Sequence, residues 1–231
     1  MSMRPLFLAV LMAAALHGEA RGADDEYDLQ LGEEIFDTCA PCHGPFGQGG
    51  GGGVYPRLAG MDIDYLIRQL DRFKTRVREN IPMIPYANDR DLPEEDMEAV
   101  AAYMETLRLK TRLPELKDDI DGLTRLKQAK QVLNIPRHPG GDEAHGGKVY
   151  GELCARCHGN QGEGTVRAPL LAGQHIPYLI KQFENYRTKQ RDHREADKLL
   201  IPLTQADIDG ILTFLSLQDD TFTGEEVKKK E

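Results

Sequence analysis

The segment Cys39-Ala40-Pro41-Cys42-His43-Gly44 returns later in the chain as Cys154-Ala155-Arg156-Cys157-His158-Gly159. In both copies two cysteines are separated by two residues and are followed directly by a histidine and a glycine. These are all four cysteines of the 231-residue chain, which excludes the disulfide-dense scaffolds of small secreted proteins. We therefore expect the chemistry of the protein to lie at these two segments.

The repeat extends beyond the cysteines and defines the organisation of the chain. Three further segments recur in the same order and at nearly constant spacing: 56–60 with 169–173, 65–70 with 178–183, and 92–97 with 203–208. Such a match predicts two homologous domains, at 24–109 and 144–231. Apolar residues recur at helical spacing in both copies, and no run alternates as a strand does, so the predicted fold class is all-α.

A segment at 110–143 has no counterpart in either domain and is predicted to be a long linker. Its apolar residues suit an amphipathic helix: Leu116, Ile120, Leu123, Leu126 and Leu133. An apolar stripe of this kind usually packs against a core. We therefore interpret the linker as a structured spacer that contacts one or both domains, in preference to a helix that binds a partner.

The motif Cys-x-x-Cys-His predicts covalent attachment of haem. Cysteines about one helical turn apart can form thioethers with both vinyl groups of one haem, and the next histidine becomes the proximal iron ligand. A redox-active cysteine pair would need a strand context like that of thioredoxin, and a four-cysteine zinc site would leave two histidines unexplained. The prediction is two covalently bound haem c groups, attached at Cys39, Cys42, Cys154 and Cys157 and ligated by His43 and His158.

The first domain contains a good candidate for the sixth iron ligand. Met83 lies in Ile81-Pro82-Met83-Ile84-Pro85, an irregular segment bracketed by prolines. Met97 and Met104 fall in the predicted last helix, where packing in the core is the better interpretation. A thioether ligand stabilises reduced iron and raises the reduction potential.

The second domain contains no methionine, because all seven methionines of the chain lie at or before Met104. Its iron therefore cannot have a histidine and a methionine as axial ligands. His193 adjoins the window that aligns with Met83, Lys198 is close to it, and His175 follows the 169–173 turn. His193, Lys198, His175 and an open or water-ligated position all remain possible, and the charged neighbours of His193 also fit an ordinary surface histidine.

The amino-terminal residues have the order of parts of a secretory signal peptide. Arg4 is followed by an apolar run at 6–16 and then by small residues up to Ala23. The run is shorter than the roughly 20 residues that span a bilayer. We expect a cleaved signal at 1–23, a periplasmic protein and no stable membrane insertion after cleavage, with an uncleaved anchor as the alternative.

The charge balance limits the choice of partners. The formal net charge of −9 argues against nucleic acid, which needs clustered Lys and Arg. Residues 24–113 carry 18 acidic and 10 basic side chains, a net charge of −8. This charge could steer a basic redox partner, or it could simply keep the protein soluble.

The cysteine motifs, the Pro-x-Leu-Ala-Gly turns and the Tyr-Leu-Ile-(Arg/Lys)-Gln helices resemble the periplasmic dihaem class I cytochromes c of the cytochrome c-four family. The resemblance covers nearly the whole chain except the signal and the linker. It implies two all-α haem domains that face each other and carry electrons toward terminal oxidases or reductases. The departures are the missing second methionine, the longer linker and the five glycines at 49–53.

The same resemblance implies specific contacts inside each domain. The first and last helices would cross at Gly32 and Tyr103 in one domain, and at Gly147 and Phe214 in the other. The carbonyls of Pro56 and Pro169 would accept the ring N–H of His43 and His158 and so fix each imidazole, as partners of metal-bound histidines commonly do.

Two classes of function follow from these features. One is an electron carrier between redox protein partners such as an oxidase, a reductase or a dehydrogenase. The other is a haem enzyme or gas-binding protein with an open position at the second haem. Only the missing methionine favours the second class, and no positioned acid–base group accompanies it.

Overall fold

The computed structural model describes residues 27–165, 168–193 and 197–218, so the predicted signal peptide at 1–23 lies outside the described residues. Within these ranges the chain forms α-helices and two one-turn 3₁₀ helices, and its extended pairings are limited to three isolated bridges. The prediction of an all-α chain of two tandem domains is confirmed. No helix in the described part of the chain has the length and apolar character needed to cross a membrane.

The first domain consists of three main helices. They are α1 (Leu29–His43), α2 (Ile63–Lys74) and α3 (Glu94–Thr106). The Asp28 side chain caps α1 by accepting a hydrogen bond from the Leu31 N–H at 2.9 Å. Helix α3 follows Pro93 and has three acidic residues in its first turn, where the helix dipole favours negative charge.

The linker forms one short helix, α4 (Gly122–Lys130), capped by Asp121. It is shorter than the predicted apolar stripe, and the stripe faces solvent: Leu123 is 63% exposed and Leu126 is 53% exposed. The linker instead folds on itself through backbone hydrogen bonds that join Lys110 to Gln131 and Leu133. The spacer is structured as expected, but α4 is not packed into a core.

The second domain repeats the first with one break. Its helices are α5 (Glu143–Leu153), α6 (Ala155–His158), α7 (Ile176–Arg187), α8 (Asp197–Leu200) and α9 (Gln205–Ser216). The helix that carries the cysteine motif is continuous in α1, whereas here it is interrupted at Cys154, which separates α5 from α6. The linker reaches this domain at His138, whose carbonyl accepts from the Thr213 hydroxyl of α9 at 3.2 Å.

The first and last helices of each domain cross at glycines, at the expected Gly32 in the first domain but one residue before the expected Gly147 in the second. A Cβ on Gly32 would collide with the Ala99 carbonyl of α3. A Cβ on Gly147 would lie 3.1 Å from a ring carbon of Phe214. The closest approach in the second domain is one residue earlier, where Gly146 meets the Gly210 carbonyl. Both crossings therefore need the absence of a side chain.

A buried polar group, which we call the interdomain cluster, joins the two domains. It consists of Tyr65, Gln69 and Arg78 from the first domain and Tyr178, Gln182 and Arg191 from the second. Arg78 is 9% exposed and donates to Gln69 Oε1 at 2.8 Å within its own domain. It also donates across the interface to the Tyr178 hydroxyl at 3.1 Å and to Gln182 Oε1 at 3.3 Å.

The second arginine of the cluster makes the equivalent contacts, with the roles of the two domains exchanged. Arg191 is 7% exposed and donates to Gln182 Oε1 in its own domain at 2.6 Å. Across the interface it donates to the Tyr65 hydroxyl at 3.1 Å and to Gln69 Oε1 at 3.0 Å. Each arginine thus binds one tyrosine and both glutamines, and the two halves of the cluster are related by the sequence repeat.

The aromatic partners of the two arginines follow the same symmetry. The Arg78 guanidinium lies 4.5 Å from the centre of the Phe73 ring, and the Arg191 guanidinium lies 4.9 Å from that of Tyr186. Stacking on a ring stabilises a cation that has lost water. The two buried charges are therefore held by neutral acceptors and by aromatic faces.

Other contacts between the domains lack a symmetric counterpart among the described residues, and those of Gln174 and His175 are examples. The buried Gln174 side chain accepts from the Arg57 backbone N–H at 2.9 Å and donates to the Arg57 carbonyl at 3.0 Å. His175 Nε2 lies 2.7 Å from the Gln48 carbonyl oxygen. These contacts attach the residues just before α7 to Gln48 and to the 56–60 turn of the first domain.

The helix crossing gives a direct test of this architecture. We expect Gly146→Ala to destabilise the holoprotein by about 3 kcal/mol, because its Cβ would meet backbone that cannot move aside. Gly151→Ala is the matched control, since it lies in the same helix with nothing near its Cβ, and it should stabilise by about 0.5–1 kcal/mol. Urea unfolding of the three proteins measures both effects, and equal stabilities would contradict the crossing.

The symmetry of the interdomain cluster gives a second test. Tyr65→Phe and Tyr178→Phe each remove one hydroxyl that accepts from the opposite arginine. We expect each change to cost about 1–2 kcal/mol, because a buried charged donor loses a partner. Tyr86→Phe is the control, because the Tyr86 side chain is exposed. Thermal unfolding in which only one of the two cluster variants is weakened would argue against the paired arrangement.

Candidate functional site

A buried histidine lies at the end of each cysteine motif and is fixed by a proline carbonyl. His43 Nδ1 lies 2.9 Å from the Pro56 oxygen, and His158 Nδ1 lies 2.8 Å from the Pro169 oxygen. These are the contacts that the resemblance implies. Because a carbonyl oxygen only accepts, each Nδ1 carries the hydrogen and each Nε2 keeps its lone pair.

The protonation of these two histidines suits a metal ligand. Burial lowers the pKa of His43 and of His158, although the hydrogen bond to the proline carbonyl opposes this effect. Both imidazoles are therefore neutral at pH 7. Each domain presents one oriented imidazole whose Nε2 is available to iron.

The loop after each motif brings the proline carbonyl back to the histidine. Gly47 and Gly162 have positive φ values of 65° and 84°, which side chains rarely adopt. The Gly47 carbonyl accepts from the Leu58 N–H at 2.8 Å, and the Gly162 carbonyl accepts from the Leu171 N–H at 2.7 Å. The Pro-x-Leu-Ala-Gly turn is thus tied to the motif loop in both domains.

The first cysteine of each motif has the properties expected of an attachment point rather than of a reactive thiol. None of the four forms a disulfide. Burial, together with the second cysteine of each motif, raises the pKa of the Cys39 and Cys154 thiols to about 11. A redox-active cysteine needs a lowered pKa, so this environment argues against thioredoxin-like chemistry.

The alternative of a zinc site finds no support in the geometry. Across residues 27–165, 168–193 and 197–218, no group of three His, Cys, Asp or Glu side chains is arranged to hold a metal ion. The two motifs lie in separate domains, each with its own histidine and proline. The donor set of each motif, two unpaired thiols and one neutral imidazole, fits a covalently bound haem.

Met83 lies in the one-turn 3₁₀ helix Ile81–Met83 of the first domain. Its carbonyl accepts from the backbone N–H groups of Tyr86 and Ala87, at 3.1 Å and 3.0 Å. Its side chain is half-buried, whereas Met97 is buried in the domain core. Its role as an iron ligand remains a prediction.

The structure separates the candidate ligands of the second domain. His175 is bonded to the Gln48 carbonyl of the other domain, and Lys198 is exposed to solvent. His193 lies beside the proximal histidine, with 6.1 Å between the ring centres of His193 and His158. The Tyr186 ring meets the His193 ring edge-on at 4.7 Å.

The environment of His193 keeps its imidazole neutral. Burial lowers its pKa to about 4, and the nearby His158 and Arg191 act in the same direction. The Asp197 carboxylate opposes this shift weakly and accepts from the His193 backbone N–H at 2.9 Å. The ring is half-buried and its Nδ1 is enclosed, which differs from a freely exposed surface histidine. Its role as an iron ligand remains a prediction.

Sequence reasoning missed the interdomain cluster and the interface role of His175. A signal for the cluster was present in the repeat, since Tyr, Gln and Arg recur at the same mutual spacing in 65–78 and 178–191. The spacing alone does not indicate that the two arginines reach across the interface. Nothing in the sequence around His175 indicates its bond to Gln48.

Comparison with known proteins agrees with this architecture. The cytochrome c family profile matches residues 29–108 and 143–217. The thiosulfate dehydrogenase electron acceptor of Stutzerimonas stutzeri is 31% identical over 197 residues, which cover 82% of each chain. Cytochrome c4 of Pseudomonas aeruginosa is 26% identical and covers 92% of this chain and 98% of its own length.

Among solved structures, reduced cytochrome c4 from Pseudomonas stutzeri has the same fold. Its TM-score is 0.65 at 20% sequence identity, and the match covers 84% of this chain and all of that one. Both repeated domains and both cysteine motifs fall within the family match. The chain therefore belongs to the cytochrome c family, as a dihaem cytochrome of the c4 type with two covalently bound haem c groups.

Proposed function

We propose that this protein carries electrons one at a time in the periplasm, from a dehydrogenase to an oxidase or reductase. The observation that carries the proposal is the duplicated haem-binding segment, held in a single unit by the interdomain cluster. Each haem, when bound, supplies an iron that changes its charge by one electron. The chain contributes the attachment points, the axial ligands and the exclusion of water.

The proposed work of the residues is to hold each iron site in one geometry. Cys39, Cys42, Cys154 and Cys157 attach the haems. His43 and His158 are the proximal ligands, and Pro56 and Pro169 fix their rings through the Nδ1 hydrogen bonds. The geometry of an iron site changes little with the charge of the metal when the ligand ring is held in place and water is excluded. Electron transfer then needs little reorganisation.

The relatives support a dehydrogenase as the electron donor. The relative with 31% identity is named as the electron acceptor of thiosulfate dehydrogenase, and it matches this chain over both domains. The excess of acidic residues in 24–113 supports a basic docking surface on one of the partners. The apolar run at 6–16 supports export, which covalent haem attachment through this motif accompanies in the family.

A direct test is electron transfer to the purified holoprotein. We expect a thiosulfate dehydrogenase, supplied with thiosulfate, to reduce both haems. An oxidised acceptor protein, such as a terminal oxidase or a reductase, should then reoxidise them. The rate should fall steeply with added salt if the acidic side chains steer docking. Variants with Cys39→Ser and Cys42→Ser, or with Cys154→Ser and Cys157→Ser, should each contain one haem and separate the two steps.

The same preparation tests the enzyme alternative. If the reduced wild type bound one carbon monoxide and catalysed the reduction of peroxide with electrons from a small-molecule reductant, the proposal of a carrier would be overturned. Reduction by a dehydrogenase other than thiosulfate dehydrogenase would change the donor and leave the carrier function in place.

The axial role of Met83 gives a spectroscopic prediction. Met83→Leu should abolish the weak long-wavelength absorption band of methionine-ligated ferric haem and lower the reduction potential of the first domain, since a thioether ligand raises it. Met97→Leu is the matched control, because Met97 packs in the core and should leave the band intact. A band that survives Met83→Leu would exclude this ligand.

A further inference from the structure

The rings of His158 and His193 have the spacing of two ligands on opposite sides of one metal ion. Their centres lie 6.1 Å apart, with 40° between the ring planes. A bond of about 2 Å from a metal to an imidazole nitrogen, plus about 1 Å from that nitrogen to the ring centre, gives about 6 Å for two rings. The observed separation therefore leaves room for one iron between them.

One ring nitrogen of His193 is buried without a hydrogen-bond partner among the described residues. Its Nδ1 is enclosed and lacks a hydrogen-bond partner within the part of the chain that the structure describes. A buried polar atom without a partner costs about 1–3 kcal/mol, so native proteins rarely retain one without a reason. An iron ligand is such a reason, because coordination uses the lone pair.

The other candidate side chains of this domain are hydrogen-bonded elsewhere or exposed to solvent. The Nε2 of His175 lies against the Gln48 carbonyl of the first domain, and Lys198 is in solvent. The domain has no methionine. His193 is thus the candidate ligand that the fold brings beside His158.

The loop around His193 holds the ring in place. Its backbone N–H donates to the Asp197 carboxylate at the start of α8, at 2.9 Å. Its ring meets the Tyr186 ring edge-on, and Tyr186 in turn stacks on the Arg191 guanidinium of the interdomain cluster. The position of His193 is therefore coupled to the domain interface.

We propose that His193 is the sixth ligand of the second haem, which makes this domain bis-histidine ligated. The inference rests on the proposed function only in that it concerns the same haem. It departs from the first domain, where Met83 is the expected ligand. The two domains of one repeat then have different axial ligands.

This difference in axial ligands sets the direction of electron transfer between the two haems. Methionine ligation raises a haem potential relative to ligation by a second imidazole. The second domain is then the lower-potential site, and electrons that enter there move downhill to the first domain. A donor should dock at the second domain and an acceptor at the first.

The test is low-temperature electron paramagnetic resonance of the ferric holoprotein, together with a redox titration. The wild type should show two low-spin signals and two separated reduction steps. His193→Ala should convert one signal to high spin, allow the reduced protein to bind one carbon monoxide, and leave the first haem unchanged. Added imidazole should restore the low-spin signal.

Two further variants make the result decisive. His193→Met should raise the lower potential and give the second haem a long-wavelength band like that of the first, which a purely structural role would not produce. His145→Ala is the matched control, a partly exposed histidine of the same domain. Two unchanged low-spin signals in His193→Ala would overturn the inference and leave the carrier function untouched.

Discussion

The hydrogen bond from a buried histidine to a proline carbonyl is the constraint on which each domain depends. It joins the helix that carries the cysteines to a turn more than ten residues away. The turn can reach the histidine only because a glycine with positive φ lets the motif loop fold back. The same turn then leads into the helix that forms the domain interface. This hydrogen bond thus orients the imidazole and holds the motif loop against the turn. Through the helix that follows the turn, it also helps to position the neighbouring domain.

The interface extends this rigidity from one domain to two. Two arginines are buried there, and the partners described for them are glutamine amides, tyrosine hydroxyls and aromatic rings. Burial of a charge is costly unless its hydrogen bonds are satisfied. Each guanidinium reaches partners in both domains, so a shift of one domain would break several bonds at once. This makes the relative position of the two haem sites well defined.

Much of the fold and of the site was predictable from the sequence. The cysteine motifs and the proline turns are local signals with a strict spacing, and the structure places them in equivalent positions of both domains. The crossing glycine of the second domain is shifted by one residue, from Gly147 to Gly146, because the helix is interrupted at Cys154. The environment of the linker helix was harder to predict. An apolar stripe indicates which face of a helix is apolar, but it does not indicate whether another element packs against that face. His193 could be named because it adjoins the window that aligns with Met83. Its surroundings depend on the fold, which brings its ring beside those of Tyr186 and His158.

The paired contacts of the interdomain cluster have a consequence for the origin of the chain. Every bond that Arg78 makes to the second domain is matched by a bond that Arg191 makes to the first. This is the pattern of an isologous dimer, in which one surface binds a copy of itself. The chain therefore has the form of a covalently linked homodimer, whose tether keeps the effective concentration of the partner high. Two fused halves can diverge. The contacts of Gln174 and His175 and the absence of methionine from the second half are asymmetries that two identical chains could not have.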